Sequence, residues 1–229
     1  MALSKRAEDF LEQVRSSQHV KQPSPEEVTA LFQEHKLPKI EAFIDCVVTA
    51  GGLDFTEPFE SIYFYSLPEV LFEPGDRMCH FSYRDGAWWF SALASKYPGT
   101  CFMNESGSLH FEREPKDVWA SSLEKIIEQS ALMASLNTAE KVSDVATLVR
   151  GDSLRDIVER AGAKVDSAAT DQYFAYCVHQ DGILVLLHTY KFDPKKGKCA
   201  IRAFLTSENA VKNFRARLGS AAVRFDILK

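Results

Sequence analysis

Between Ser61 and Glu112 the chain is cut every few residues by turn-forming pairs. Pro74-Gly75-Asp76, Asp85-Gly86, Pro98-Gly99 and Ser106-Gly107 separate short runs rich in aromatic and branched residues. Runs of that kind, so punctuated, read as strands of one sheet. The spacing predicts strands over 62–65, 69–72, 78–83, 87–93, 100–103 and 109–112. Helical patterns bracket them. Phe10, Leu11 and Val14 give a short amphipathic helix over 8–17. Ser24-Pro25-Glu26-Glu27 is a helix start in which Ser24 caps, Pro25 fits the first turn and Glu27 reaches back. Leu37-Pro38 opens a third helix, with Ile40, Phe43, Ile44, Val47 and Val48 on one face and Gly51-Gly52 ending it. A fourth is predicted over 117–136.

A second pattern follows. The region 138–150 reads as a helical connector, and a helix capped by Asp152 runs to Gly162. Tyr173–His179 and Ile183–Phe192 flank Asp181-Gly182, a pair suited to a tight hairpin turn. A strand over 199–205, a helix from Ser207 to Leu218 and a strand over 222–228 complete the chain. The expected fold is α+β: an antiparallel sheet flanked by helices, followed by a smaller α+β unit. Charge divides the same way. Residues 1–137 carry 12 Lys/Arg against 21 Asp/Glu, and residues 138–229 carry 15 against 11. The first domain is therefore placed at 1–137 and the second at 138–229.

The acidity is concentrated. Residues 40–76 contain no base and eight acids: Glu41, Asp45, Asp54, Glu57, Glu60, Glu69, Glu73 and Asp76. Seven aromatics, among them Phe59 and Phe72, share the stretch. Charge steers a cationic partner and buried rings anchor it. Phosphates would be repelled, so nucleic acid is not expected as a ligand. The plainer reading has the acids on solvated faces and the rings in a core.

Motifs for chemistry are sparse. No phosphate loop, dinucleotide fingerprint, HExxH or GxSxG occurs, so neither cofactor nor metal is expected. Cys177, His179 and His188 share a face if Asp181-Gly182 is the turn and Ala175 lies opposite His188, but the histidines are then about 13 Å apart, too far for one ion. Either Cys79 or His80 could face His110 as nucleophile and base. Glu112, Glu114 and Asp117 read as a solvated turn, as does the basic set Lys191, Lys195, Lys196, Lys198 and Arg202. Trp88 and Trp89 are neighbours in a strand, so one faces the core and the other is open to a partner. Five scattered cysteines and an N-terminus without an apolar run place the chain in the cytoplasm, and no stretch is apolar enough to span a membrane.

Leu37, Pro38, Phe43, Ile44, Gly51 and Gly52, with Asn104–Leu109 and Val118–Ile127 downstream, form a pattern that resembles the SUKH superfamily over about residues 24–136. Its members include immunity proteins against bacterial polymorphic toxins. The resemblance implies a helix–sheet–helix domain that inhibits a cognate toxin effector domain by protein–protein interaction, as in a toxin-antitoxin pair. The partner would bring a basic cleft, and Asp54, Glu57, Phe59, Glu60, Glu69, Phe72, Glu73 and Asp76 are expected to meet it. The alternatives are an enzyme with a small-molecule site between the two units, or a regulatory scaffold.

Overall fold

A computed structural model describes residues 2–34, 36, 39–56, 61–64, 82–84, 86–95, 100–110, 118–136, 143–150, 154–187 and 198–228. The protein is α+β and divides into two compact units, residues 1–130 and 131–229.

The first unit opens with α1 (Lys5–Gln18), α2 (Pro25–Glu34) and α3 (Glu41–Ala50). Each start has a local cause. The Ser4 hydroxyl accepts from the Ala7 N–H at 3.3 Å. Ser24 and Glu27 form the expected capping box: Glu27 N–H donates to Ser24 Oγ at 3.1 Å, and Ser24 N–H to Glu27 Oε2 at 2.7 Å. At the end of α3 only Gly52 takes the left-handed conformation, with φ 78°. Gly51 has φ −54°. The glycine pair thus divides the work: Gly51 closes the helix and Gly52 turns the chain into the sheet.

That sheet is antiparallel. It holds β1 (Asp54–Thr56), β2 (Ser61–Phe64), β3 (Ser82–Arg84), β4 (Ala87–Ser95), β5 (Thr100–Asn104), β6 (Leu109–His110) and β7 (Val118–Ala120). The order is β1-β2-β4-β5-β6-β7. Strand β4 is long enough to pair β3 through Ala87–Trp89 and β2 through Leu93–Ser95 along one edge. The predicted strand 69–72 lies outside the described residues. Residues 118–120 were expected to begin a helix and instead form β7. Val118, Trp119 and Ala120 are all buried, so both faces of the segment are covered, which a pleated strand allows. Helix α4 (Leu123–Ala134) starts only at Ser122, whose hydroxyl accepts from the Lys125 N–H at 3.3 Å.

Phenylalanines tie the helices to one sheet face. Phe32 of α2 stacks on Phe43 of α3 at 5.0 Å, and Phe43 meets Phe90 of β4 edge-on at 4.4 Å. Phe10 of α1 meets Phe55 at 5.0 Å, and Phe55 meets Phe64 at the same separation. Each of these rings except the half-buried Phe10 contributes about 2 kcal/mol of burial. Three aromatics of the acidic stretch, Phe43, Phe55 and Phe64, are therefore core. Cys46 fills the same interior. Burial, aided by Asp45, pushes its thiol up to about 12, so it is a neutral apolar filler.

The second unit contains β8 (Ser143–Arg150), α5 (Leu154–Ala161), β9 (Lys164–Val165), β10 (Phe174–His179), β11 (Gly182–Leu187), β12 (Lys198–Leu205), α6 (Glu208–Leu218) and β13 (Ala222–Leu228). Its antiparallel sheet runs β13-β8-β12-β11-β10-β9. Residues 143–150, expected to be helical, are the strand β8. Val145 and Val149 face inward at even spacing with the buried Thr147 between them. Ala175, Cys177, Leu184, Leu186, Ile201 and Ala203 continue that face, and Ile157, Ala161, Val211, Phe214 and Leu218 of α5 and α6 cover it.

Two details of this sheet matter later. The turn between β10 and β11 is Gln180-Asp181, closed by the pair His179–Gly182, so Ala175 lies opposite Leu186 and not His188. Beyond the two residues of β9 a loop takes over the margin of β10. The Asp166 N–H donates to the Tyr176 carbonyl at 2.8 Å, and the Thr170 hydroxyl accepts from the Tyr176 N–H at 3.0 Å. The Asp171 carboxylate accepts from the Phe174 N–H at 2.9 Å.

Candidate functional site

Of the residues expected to meet a partner, Asp54 alone is described. It is half-buried in β1, and the Gln18 side chain binds its backbone like an extra strand. The Asp54 N–H donates to Gln18 Oε1 at 2.9 Å, and Gln18 Nε2 donates to the Asp54 carbonyl at 2.5 Å. Glu57, Phe59, Glu60, Glu69, Phe72, Glu73 and Asp76 lie outside the described residues.

The acidic character nevertheless extends onto described helices. Glu26, Glu27 and Glu34 of α2 and Glu41 and Asp45 of α3 are all exposed. Helix α3 holds the last two outward by turning Phe43, Ile44 and Val47 into the core. A base stands among them: Lys39 Nζ lies 2.8 Å from Glu41 Oε1. A shallow groove of about 400 Å³ runs here, edged by Pro25, Glu26, Thr29, Gln33, Lys39 and Glu41. An opening with this charge accepts cationic side chains and disfavours phosphate.

Trp89 is the core member of the tryptophan pair, 3 % exposed, and the Trp88 side chain is outside the described residues. Trp89 meets the ring of His110 edge-on at 4.8 Å. Cys79 and His80 are outside the described residues. His110 instead has Ser108: the hydroxyl lies 2.9 Å from Nε2. Asn104 Oδ1 holds this turn in place by accepting from the Ser106 N–H at 3.1 Å, the Ser106 hydroxyl at 2.6 Å and the Ser108 N–H at 3.2 Å. Sequence reasoning did not single out Ser108. The available signal was the every-second-residue spacing of Asn104, Ser106, Ser108 and His110.

In the second unit Cys177 and His179 are both buried on the helix-covered face, and His188 is outside the described residues. Among the described residues no three His, Cys, Asp or Glu side chains are placed to hold a metal ion. Glu112, Glu114, Asp117, Lys191, Lys195 and Lys196 are not described, nor is the side chain of Lys198. The guanidinium of the exposed Arg202 lies 4.9 Å over the ring of Phe204. No helix among the described residues is long and apolar enough to cross a membrane. No family model matches the chain, and neither a curated protein nor a solved structure matches it.

Proposed function

We propose that the chain is an immunity protein of SUKH type, a cytoplasmic, non-catalytic inhibitor that binds a cognate toxin domain through the acidic surface of its first unit. The observation that carries this reading is the charge distribution. Thirty-seven consecutive residues, 40–76, lack any base, Glu26 and Glu41 edge one shallow groove, and Glu34 and Asp45 are exposed on the same two helices. Many toxins that attack nucleic acids carry basic clefts, and an acidic protein fills such a cleft in place of the phosphate chain.

Affinity for the toxin is expected to fall about tenfold or more between low and high salt, because encounter is steered by charge. Changing Glu57, Glu60, Glu69 and Glu73 together to Lys is expected to abolish capture of the toxin from the native host. Calorimetric titration at two ionic strengths checks the first expectation, and an affinity indifferent to salt would sink the mechanism.

Ser108 and His110 favour a second reading, a hydrolase or transferase. A hydroxyl at hydrogen-bond distance from an imidazole nitrogen is the arrangement of a nucleophile and its base. On that reading a fluorophosphonate labels Ser108 in the parent and not in His110→Gln. A parent that stays unlabelled removes it.

A further inference from the structure

His179 stands at the end of β10 with its side chain wholly buried. Its Nδ1 accepts the Asp181 N–H at 3.1 Å, which fixes the tautomer: the ring hydrogen sits on Nε2. Nε2 itself is buried and has no hydrogen-bond partner among the described residues. The turn it supports is anchored from the other side by Thr206, whose N–H and hydroxyl donate to the Asp181 carbonyl at 2.9 and 3.1 Å. Among the described residues two charged groups act on the ring. Asp181 Oδ2, on the same turn, lies 3.9 Å from Nδ1, and Arg217 acts from α6.

We propose that this turn is a proton-sensitive latch: a proton added to the buried His179 ring breaks the bond to the Asp181 N–H and opens the β10–β11 end of the second sheet. The added hydrogen goes to Nδ1, where it points at another N–H. The ring then carries two donors and a charge: Nε2–H has no partner among the described residues, and the Asp181 carboxylate stands 3.9 Å from Nδ1, beyond hydrogen-bond distance. Burial holds the ring's titration below the ordinary histidine value. Asp181 pulls it up, and Arg217 pushes it further down. The sign follows. The unfolded chain takes up the proton at about pH 6.5 and the folded one only below that. The stability supplied by neutral His179 is therefore complete above about pH 6.5 and is lost as the pH falls from there through the folded value.

Hydrogen exchange of the full chain, followed by mass spectrometry from about pH 7.5 to 5.5 and corrected for intrinsic rates, tests the latch. Peptides covering 174–187 are expected to lose protection below about pH 6.5, by no more than about tenfold per pH unit, the limit for one proton. His179→Asn keeps an acceptor near the position of Nδ1 and cannot titrate, so it is expected to lose the pH dependence. Unchanged protection in the parent, or the same loss in the variant, overturns the proposal. The ring's own NMR titration gives a readout independent of that variant's folding. Its midpoint is expected below about 6.5, higher in Arg217→Gln and lower in Asp181→Asn, and a parent midpoint at or above the ordinary value overturns the proposal as well.

Discussion

Gly182→Ala is expected to unfold the second unit under conditions in which the parent is folded, at a cost of about 3 kcal/mol or more. Gly182 begins β11 beside the backbone of β12. A methyl group added there would lie 1.9 Å from the Phe204 carbonyl oxygen and 3.1 Å from the Leu205 Cα. Both are main-chain atoms where the end of β12 pairs with the start of β11, so relief requires the two strands to part at this end, and hydrogen bonds between them are lost. Gly86, in the hairpin between β3 and β4, is the comparison. It has φ +82°, yet nothing among the described residues lies within 4 Å of an added Cβ. Gly86→Ala bears only the conformational strain, about 1 kcal/mol. Urea denaturation of both variants checks the contrast. A Gly182→Ala protein no less stable than Gly86→Ala would show that the two strands yield easily.

The second large effect is expected at Glu128. This carboxylate on α4 is 4 % exposed and holds the start of α1. It accepts from the Ser4 N–H at 2.5 Å and from the Ser4 hydroxyl at 2.7 Å, with Arg6 Nη2 at 3.4 Å. Ser4 is at the same time the cap of α1, so one carboxylate fixes the residue that begins the helix. Glu128→Ala strands two donors and part of a guanidinium charge. The loss is expected to be about 3 kcal/mol. Glu128→Gln keeps one accepting oxygen and is expected to lose less. Ser4→Ala, which removes the cap and one bond, is expected to cost about 1 kcal/mol. Chemical denaturation orders the three variants, with proteolysis near residues 5–18 as the local readout. Equal losses in the Ala and Gln variants would mean that packing, and not the carboxylate, holds α1.

Both sites show how far the sequence could be read. Ser24 and Glu27 announced a capping box from their spacing alone, because that device depends on four consecutive residues. The strand β8 was not legible. Val145, Leu148 and Val149 fit a helical stripe, and the competing alternation of two places the polar Thr147 inward. Only the β12 neighbour, which pairs Thr147 with Ile201, decides between them. Asp181-Gly182 misled in a more instructive way. The pair marks the glycine as special and points to a turn as the reason. Its actual reason is the β12 backbone against which it packs, 23 residues downstream at Leu205. Glu128 carried no local signal at all, since its partners lie more than 120 residues away. The candidate surface was legible as charge. The same stretch could not show which rings are spent on the core, because Phe43, Phe55 and Phe64 find their partners on other elements.

The loop that borders β10 has a consequence for how copies of this chain can meet. A bare strand margin invites a strand from another molecule, and sheets grow into fibres by that addition. Here Thr170 and Asp171 occupy the backbone groups that an incoming strand would need. The hydroxyl and carboxylate imitate a neighbour without offering a further edge of their own. Lateral growth at this margin must first peel the loop away, so crowding many copies together in a cell does not by itself recruit this stretch of β10 into an aggregate.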